Sequence, residues 1–206
     1  MTSPVHRAFV LACTLALASP LYAQDAPGDP MAAMSPEQQA MMVAWEKAST
    51  PGPEHARLAE QFVGRWNARQ TVWMTPDAPP ATATARATTT AEFGGRQVRM
   101  AYSGEIMGAQ LEGVGHTGYD NVRGEYTAVW MDNMSTSTST MSGRYDAASR
   151  TYTFRGQWPD PMDAGSMLQV RETLRIVDAD HHVMDMYETH AGEERHTMRI
   201  EFSRAE

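Results

Sequence analysis

From residue 64 to the C-terminus, apolar and polar positions alternate with a period of two, in one segment after another. Such alternation places successive side chains on opposite faces of a strand. Val98, Met100 and Tyr102 share a face. So do Tyr126, Ala128, Trp130 and Asp132, and so do Tyr152, Phe154, Gly156 and Trp158. Leu168, Val170, Leu174 and Ile176 fall together with Glu172 among them, and Met184 and Met186 fall with His182 and Glu188. The last segment sets His196, Met198, Ile200 and Phe202 against Thr197, Arg199, Glu201 and Ser203. The pattern predicts strands at 65–74, 82–93, 96–105, 110–119, 125–132, 136–145, 150–158, 167–177, 182–189 and 194–204, separated by turn residues such as Gly94-Gly95 and Met107-Gly108. The segment at 82–93 is alanine against threonine and arginine, a weak face that suits an edge or a wide part of a sheet. Consecutive strands with short connections and no helix between them predict an all-β antiparallel up-and-down meander. About ten twisted strands close into a barrel, which removes their edges. An open β-sandwich is the alternative.

Helical periodicity appears only before residue 64. Ser35 is an N-cap with Pro36 at the first helical position and Gln38 at the third, a capping box. The helix it starts reaches about Ala48, with Met41, Met42, Trp45 and Ala48 as a narrow apolar stripe. That stripe predicts packing on the outside or end of the barrel, or a lid over a cavity. Pro51-Gly52-Pro53 breaks the helix, and a second runs over about 54–63. Gly64 ends it, and Gly64-Arg65-Trp66 turns the chain into the first strand, with Trp66 closing the barrel floor. The helices thus occupy 34–63 and the barrel 64–206. Residues 24–33, rich in Pro, Asp, Ala and Gly, read as a disordered leader. Residues 1–23 read as a secretory signal: basic His6 and Arg7, an apolar run over 8–18 too short to span a bilayer, and a cleavage position near Ala23. The expected location is periplasmic or secreted. A lipoprotein anchor at Cys13 is the competing reading; few apolar residues precede it. Cleavage near Ala23 removes Cys13, the one cysteine. No later stretch is long and apolar enough to form a transmembrane segment.

Composition changes this picture little. The chain is 42% hydrophobic and 20% charged, as a globular domain is, and its net charge of −8 with no basic block argues against nucleic acid as a partner. Three sets of residues carry candidate chemistry. Glu172, Asp132 and Glu188 are carboxylates on inward faces, either paired in a structural network or serving as polar anchors in a cavity. His196, on the apolar face of the last strand, is either a core residue or a ligand to haem iron. No HxH or HExxH spacing points to zinc. Sixteen methionines bring copper(I) to mind, yet Met100, Met184, Met186 and Met198 fall at core positions, where Met lines adaptable cavities. The chain has no GxSxG elbow and no phosphate loop.

These motifs together carry a resemblance. Pro51-Gly52-Pro53-Glu54-His55, Gly64-Arg65-Trp66, Gly118-Tyr119-Asp120-Asn121, Trp130-Met131-Asp132-Asn133-Met134-Ser135-Thr136, Arg171-Glu172 and Met186-Tyr187 occur in this order. In them the chain, over about 34–204, resembles the bacterial family named domain of unknown function 1579, which implies no settled activity. Gly64-Arg65-Trp66 after a short helix also resembles the G-x-W signature of calycin-type barrels: lipocalins, fatty-acid-binding proteins and haem-binding nitrobindins. That likeness implies a closing tryptophan covered by a late arginine, Arg204 or Arg199. Against the fatty-acid-binding pattern, the chain lacks paired helices between its first two strands and a clear R-x-Y, so fatty acid is disfavoured as a ligand.

The sequence therefore predicts an exported, non-enzymatic β-barrel that holds a small hydrophobic or amphipathic molecule in its interior. Tyr126, Trp130, Asp132, Glu172, Glu188 and His196 are the candidate ligand contacts. Trp66 and Arg204 are the candidate closure. No cofactor is predicted outright. The alternatives are a haem or metal protein and an enzyme pairing an interior carboxylate with His55 or His196 as acid and base.

Overall fold

The computed structural model describes residues 34–75 and 78–206. The expected signal and leader lie outside these residues. Two helices, α1 (Pro36–Ser49) and α2 (Pro53–Phe62), precede ten strands. These are β1 (Gly64–Val72), β2 (Ala81–Glu92), β3 (Gln97–Ile106), β4 (Ala109–Asp120), β5 (Glu125–Asp132), β6 (Ser139–Asp146), β7 (Thr151–Pro159), β8 (Met167–Ile176), β9 (His181–His190) and β10 (Glu193–Arg204). All pairings are antiparallel between neighbours in sequence, except that β1 also pairs with β10 and closes the barrel. Closure settles the choice between barrel and sandwich. It also shows that β2 is no edge: its small inward side chains, Ala85, Ala87 and Thr89, are buried between β1 and β3.

One barrel end is closed by α2. Its buried face, His55, Leu58 and Phe62, packs on a cluster that includes Val98, Tyr126, Tyr152, Phe154 and Ile176. Polar groups fix its orientation. Arg57 Nη1 donates to Tyr126 Oη at 2.8 Å, and Tyr152 Oη donates to Gln61 Oε1 at 2.7 Å. The Gly52 N–H donates to His55 Nδ1 at 3.0 Å, so His55 caps this helix and packs edge-on against Tyr119.

The junction of α2 and β1 completes the floor. The indole N–H of Trp66 donates to the Phe62 carbonyl at 2.8 Å. The Arg204 guanidinium lies 4.2 Å from the Trp66 ring and donates to the carbonyls of Val63 and Ala179. Gly64 makes room for this. Its φ is +142°, and a Cβ there would meet Arg204 Nη1.

In α1, Ser35 and Gln38 exchange the two capping hydrogen bonds. The expected packing of its apolar stripe is not found, since Trp45 is 72% exposed. The helix is held instead by its C-terminal carbonyls. Asn121 Nδ2 donates to Lys47, Ala48 and Thr50, and Arg96 Nε donates to Ser49. The β4–β5 turn that carries Asn121 is at the closed end, away from the opposite mouth.

One irregularity redirects side chains near that mouth. The register of β10 against β9 slips between His196, opposite Tyr187, and Met198, opposite Met186. Thr197 is the extra residue of a β-bulge. The alternation that put His196 inward with Met198 therefore fails, and His196 shares the outer face with Tyr187.

Candidate ligand-binding cavity

The barrel interior is not filled. A cavity of about 260 Å³ runs from Phe62, Trp66 and His182 at the floor to Asp132, Met134 and Trp158 near the mouth. Its wall is mainly aromatic, aliphatic and thioether, with Tyr102, Trp130, Phe202, Met100, Met184 and Met186 among its side chains. The volume lies a little below the usual range for drug-sized sites, so it suits a compact molecule.

Four polar side chains in the wall matter most. Glu172, on β8, projects between apolar neighbours, Phe154 on β7 and Met186 on β9. Among the described residues, none hydrogen-bonds or ion-pairs with its carboxyl. What surface it keeps faces the cavity rather than bulk water, and burial pushes its pKa up to about 7. Gln70, on β1, is 2% exposed. Its Oε1 accepts from Tyr102 Oη at 2.9 Å, while its Nε2 has no partner. Tyr102 is pushed to about 12 by burial. His182, on β9, stacks on Phe202 at 4.4 Å and meets Trp66 edge-on at 4.4 Å. Burial, with the positive charge of Arg204 nearby, pushes it down to about 3, so its ring is neutral, and its Nδ1 has no partner.

Trp130 and Asp132 also line the cavity, but as a satisfied pair. The indole N–H donates to Asp132 Oδ2 at 2.7 Å, and Asp132 Oδ1 accepts the backbone N–H groups of Met134 and Ser135. This turn delays β6 to Ser139, later than the alternation predicts. The Trp130 ring lies over Gly113 and Gly115, where side chains would displace it.

The remaining candidates lie elsewhere. Tyr126 is buried under α2, bonded to Arg57, and is not in the cavity wall. Glu188 and His196 line a broader, more open depression of about 760 Å³ with Trp73 and His190. Glu188 Oε2 is 3.0 Å from His190 Nε2. His196 lies between the rings of Trp73 and Tyr187, with its Nε2 2.8 Å from Asp185 Oδ1. Asp185 also accepts from Arg199 Nε and Nη2, so Arg199 is committed on the outer face and Arg204 covers Trp66. Burial raises the Asp185 pKa, but Arg199 and His196 outweigh burial and hold it below the usual range.

The alternation placed His182 on the inward face without marking it as a ligand contact, and Gln70 was overlooked. The signal was present for both. Gln70 follows Trp66 and Ala68 on one face, and His182 precedes Met184 and Met186. Among the described residues, no cluster of three His, Cys, Asp or Glu side chains could hold a metal ion. No helix among them is long and apolar enough to cross a membrane.

Comparison with known proteins adds a fold likeness and a family. No functionally curated protein matches the sequence. The crystal structure of Rv2717c from M. tuberculosis is similar, with a TM-score of 0.57, 13% identity, and coverage of 76% of this chain and 100% of that one. The S-type phycobiliprotein lyase CPES from Guillardia theta is similar at a TM-score of 0.50 and 10% identity, over 78% of this chain and 96% of that one. At such identities the likeness is one of fold. The family model described as "Protein of unknown function (DUF1579)" matches residues 50–204, three quarters of the chain, and the chain belongs to that family.

Proposed function

We propose that this protein is an exported carrier or sensor that binds one small, largely apolar molecule inside the barrel. The observation that supports the reading is the interior itself. A cavity of about 260 Å³ is lined by aromatic and methionine side chains, and Glu172 stands in its wall without a partner among the described residues. Buried polar groups are normally satisfied. Unsatisfied ones beside an open volume are the expected state of a site waiting for a ligand that completes them. Similarity to a phycobiliprotein lyase fits a barrel of this kind holding a small molecule. Residues 1–23 supply the export signal in this reading, and Trp66 and Arg204 serve as closure rather than contacts. The haem alternative depended on an inward His196. With that ring outside and bonded to Asp185, the cavity reading is the better supported.

The test is native mass spectrometry of protein purified from its own host, with N-terminal sequencing of the exported form. A bound mass that is lost on denaturation, and a mature N-terminus near residue 24, are expected. Repeatedly empty spectra would count against the carrier, and retention of residues 1–23 on a cytoplasmic protein would count against export.

A further inference from the structure

We infer that the ligand is a small amine, its ammonium paired with Glu172 and its apolar body against the aromatic and methionine wall. This deepens the cavity reading and rests on it. The cavity wall contains no lysine or arginine; its titratable groups are Glu172, Asp132, His182 and Tyr102. His182 and Tyr102 are held neutral by burial. A carboxylate or phosphate in this space would face acidic groups with no cation to offset them, at a large desolvation cost. Anionic ligands are thereby excluded.

Of the two acidic groups, only one is free. Both Asp132 oxygens already accept, from the Trp130 indole and from two backbone N–H groups. Glu172 accepts nothing. The residues paired with it across β7 and β9, Phe154 and Met186, bring no charge to it. A buried carboxylate gains most from a partner that supplies both positive charge and donors, and an ammonium supplies both. Trp66, Trp130, Tyr102 and Phe202 also line the space, and aromatic rings favour a cation over an anion.

The experiment uses three probes with one body: tyramine, tyrosol and 4-hydroxyphenylacetate, which differ as amine, alcohol and carboxylate. Each is titrated by calorimetry and tryptophan fluorescence against the native barrel and Glu172→Gln, with circular dichroism to show that the variant folds. Tyramine is expected to bind at least tenfold more tightly than tyrosol, and 4-hydroxyphenylacetate not at all. Glu172→Gln should weaken tyramine at least tenfold and leave tyrosol within about twofold. Tyramine affinity should fall by about tenfold per unit below pH 7, because Glu172 must release a proton to form the pair. Tyrosol or 4-hydroxyphenylacetate binding as tightly as tyramine, or a Glu172→Gln barrel that keeps its tyramine affinity, would overturn the amine while leaving the cavity reading intact. No binding by any of the three, with empty native spectra, would overturn both.

Discussion

Two buried titratable residues set opposite pH dependences on the stability of this barrel. Glu172 has a folded pKa of about 7 against an ordinary 4.5. Between those values the folded chain keeps a proton that the unfolded chain loses, so its contribution to stability falls as pH rises and levels off above 7. Glu172→Gln should therefore match the parent near pH 4 and exceed it by about 3 kcal/mol at pH 8, measured by urea unfolding. Equal midpoints at pH 8 would show that the carboxyl is not buried uncompensated. His182 works the other way. Its folded pKa is about 3 against 6.5, so acid protonates the unfolded chain first. His182→Phe, which preserves the stack on Phe202, should remove a loss of about 1.4 kcal/mol per pH unit below 6.5. An unchanged acid unfolding midpoint would contradict this. Alternation made Glu172 legible as an inward carboxylate. It could not tell that Glu172 lacks a partner while Asp132 has three, because those partners come from turn geometry and neighbouring chain.

At the scale of elements, the α2–β1 junction joins two ends of the chain. β1 residue Trp66 lies opposite Arg204 of β10, and Gly64 gives up the volume that the guanidinium occupies. Gly64→Ala must both adopt a strained φ and displace Arg204. A loss of about 1–3 kcal/mol is expected, read as a lower thermal midpoint. Stability equal to the parent would mean that Arg204 is dispensable to the floor. The β10 bulge is the contrasting case. One added residue at Thr197 turns His196 from the interior to the Trp73 and Tyr187 stack. Nothing in the alternation of 194–204 marks the slip, since His-Thr-Met reads equally well as regular strand.

At the largest scale, the meander makes nearly every strand pairing local, and among the described strands only β1 with β10 joins distant segments. The ends must meet after the intervening strands have formed, because closing so long a loop carries an entropy cost that early contacts do not offset. Arg204→Ala should then speed unfolding and leave the folding rate nearly unchanged in stopped-flow chevrons. A slowed folding limb would place closure in the transition state instead. The single cysteine precludes an intramolecular disulfide, so packing and closure carry the stability.

The sequence by itself determined the ten strands, their order, the two helices and the tryptophan at the floor. Each depends on local rules: period-two alternation, turn residues, capping, and the glycine before Trp66. Tertiary structure decided the remainder. Whether the barrel is hollow depends on how side chains from all ten strands share one volume, and no single segment encodes that. Which inward polar groups are satisfied is likewise a matter of neighbours far apart in sequence. Glu172 became the candidate anchor, and Asp132 a support for Trp130, only when the strands closed around them.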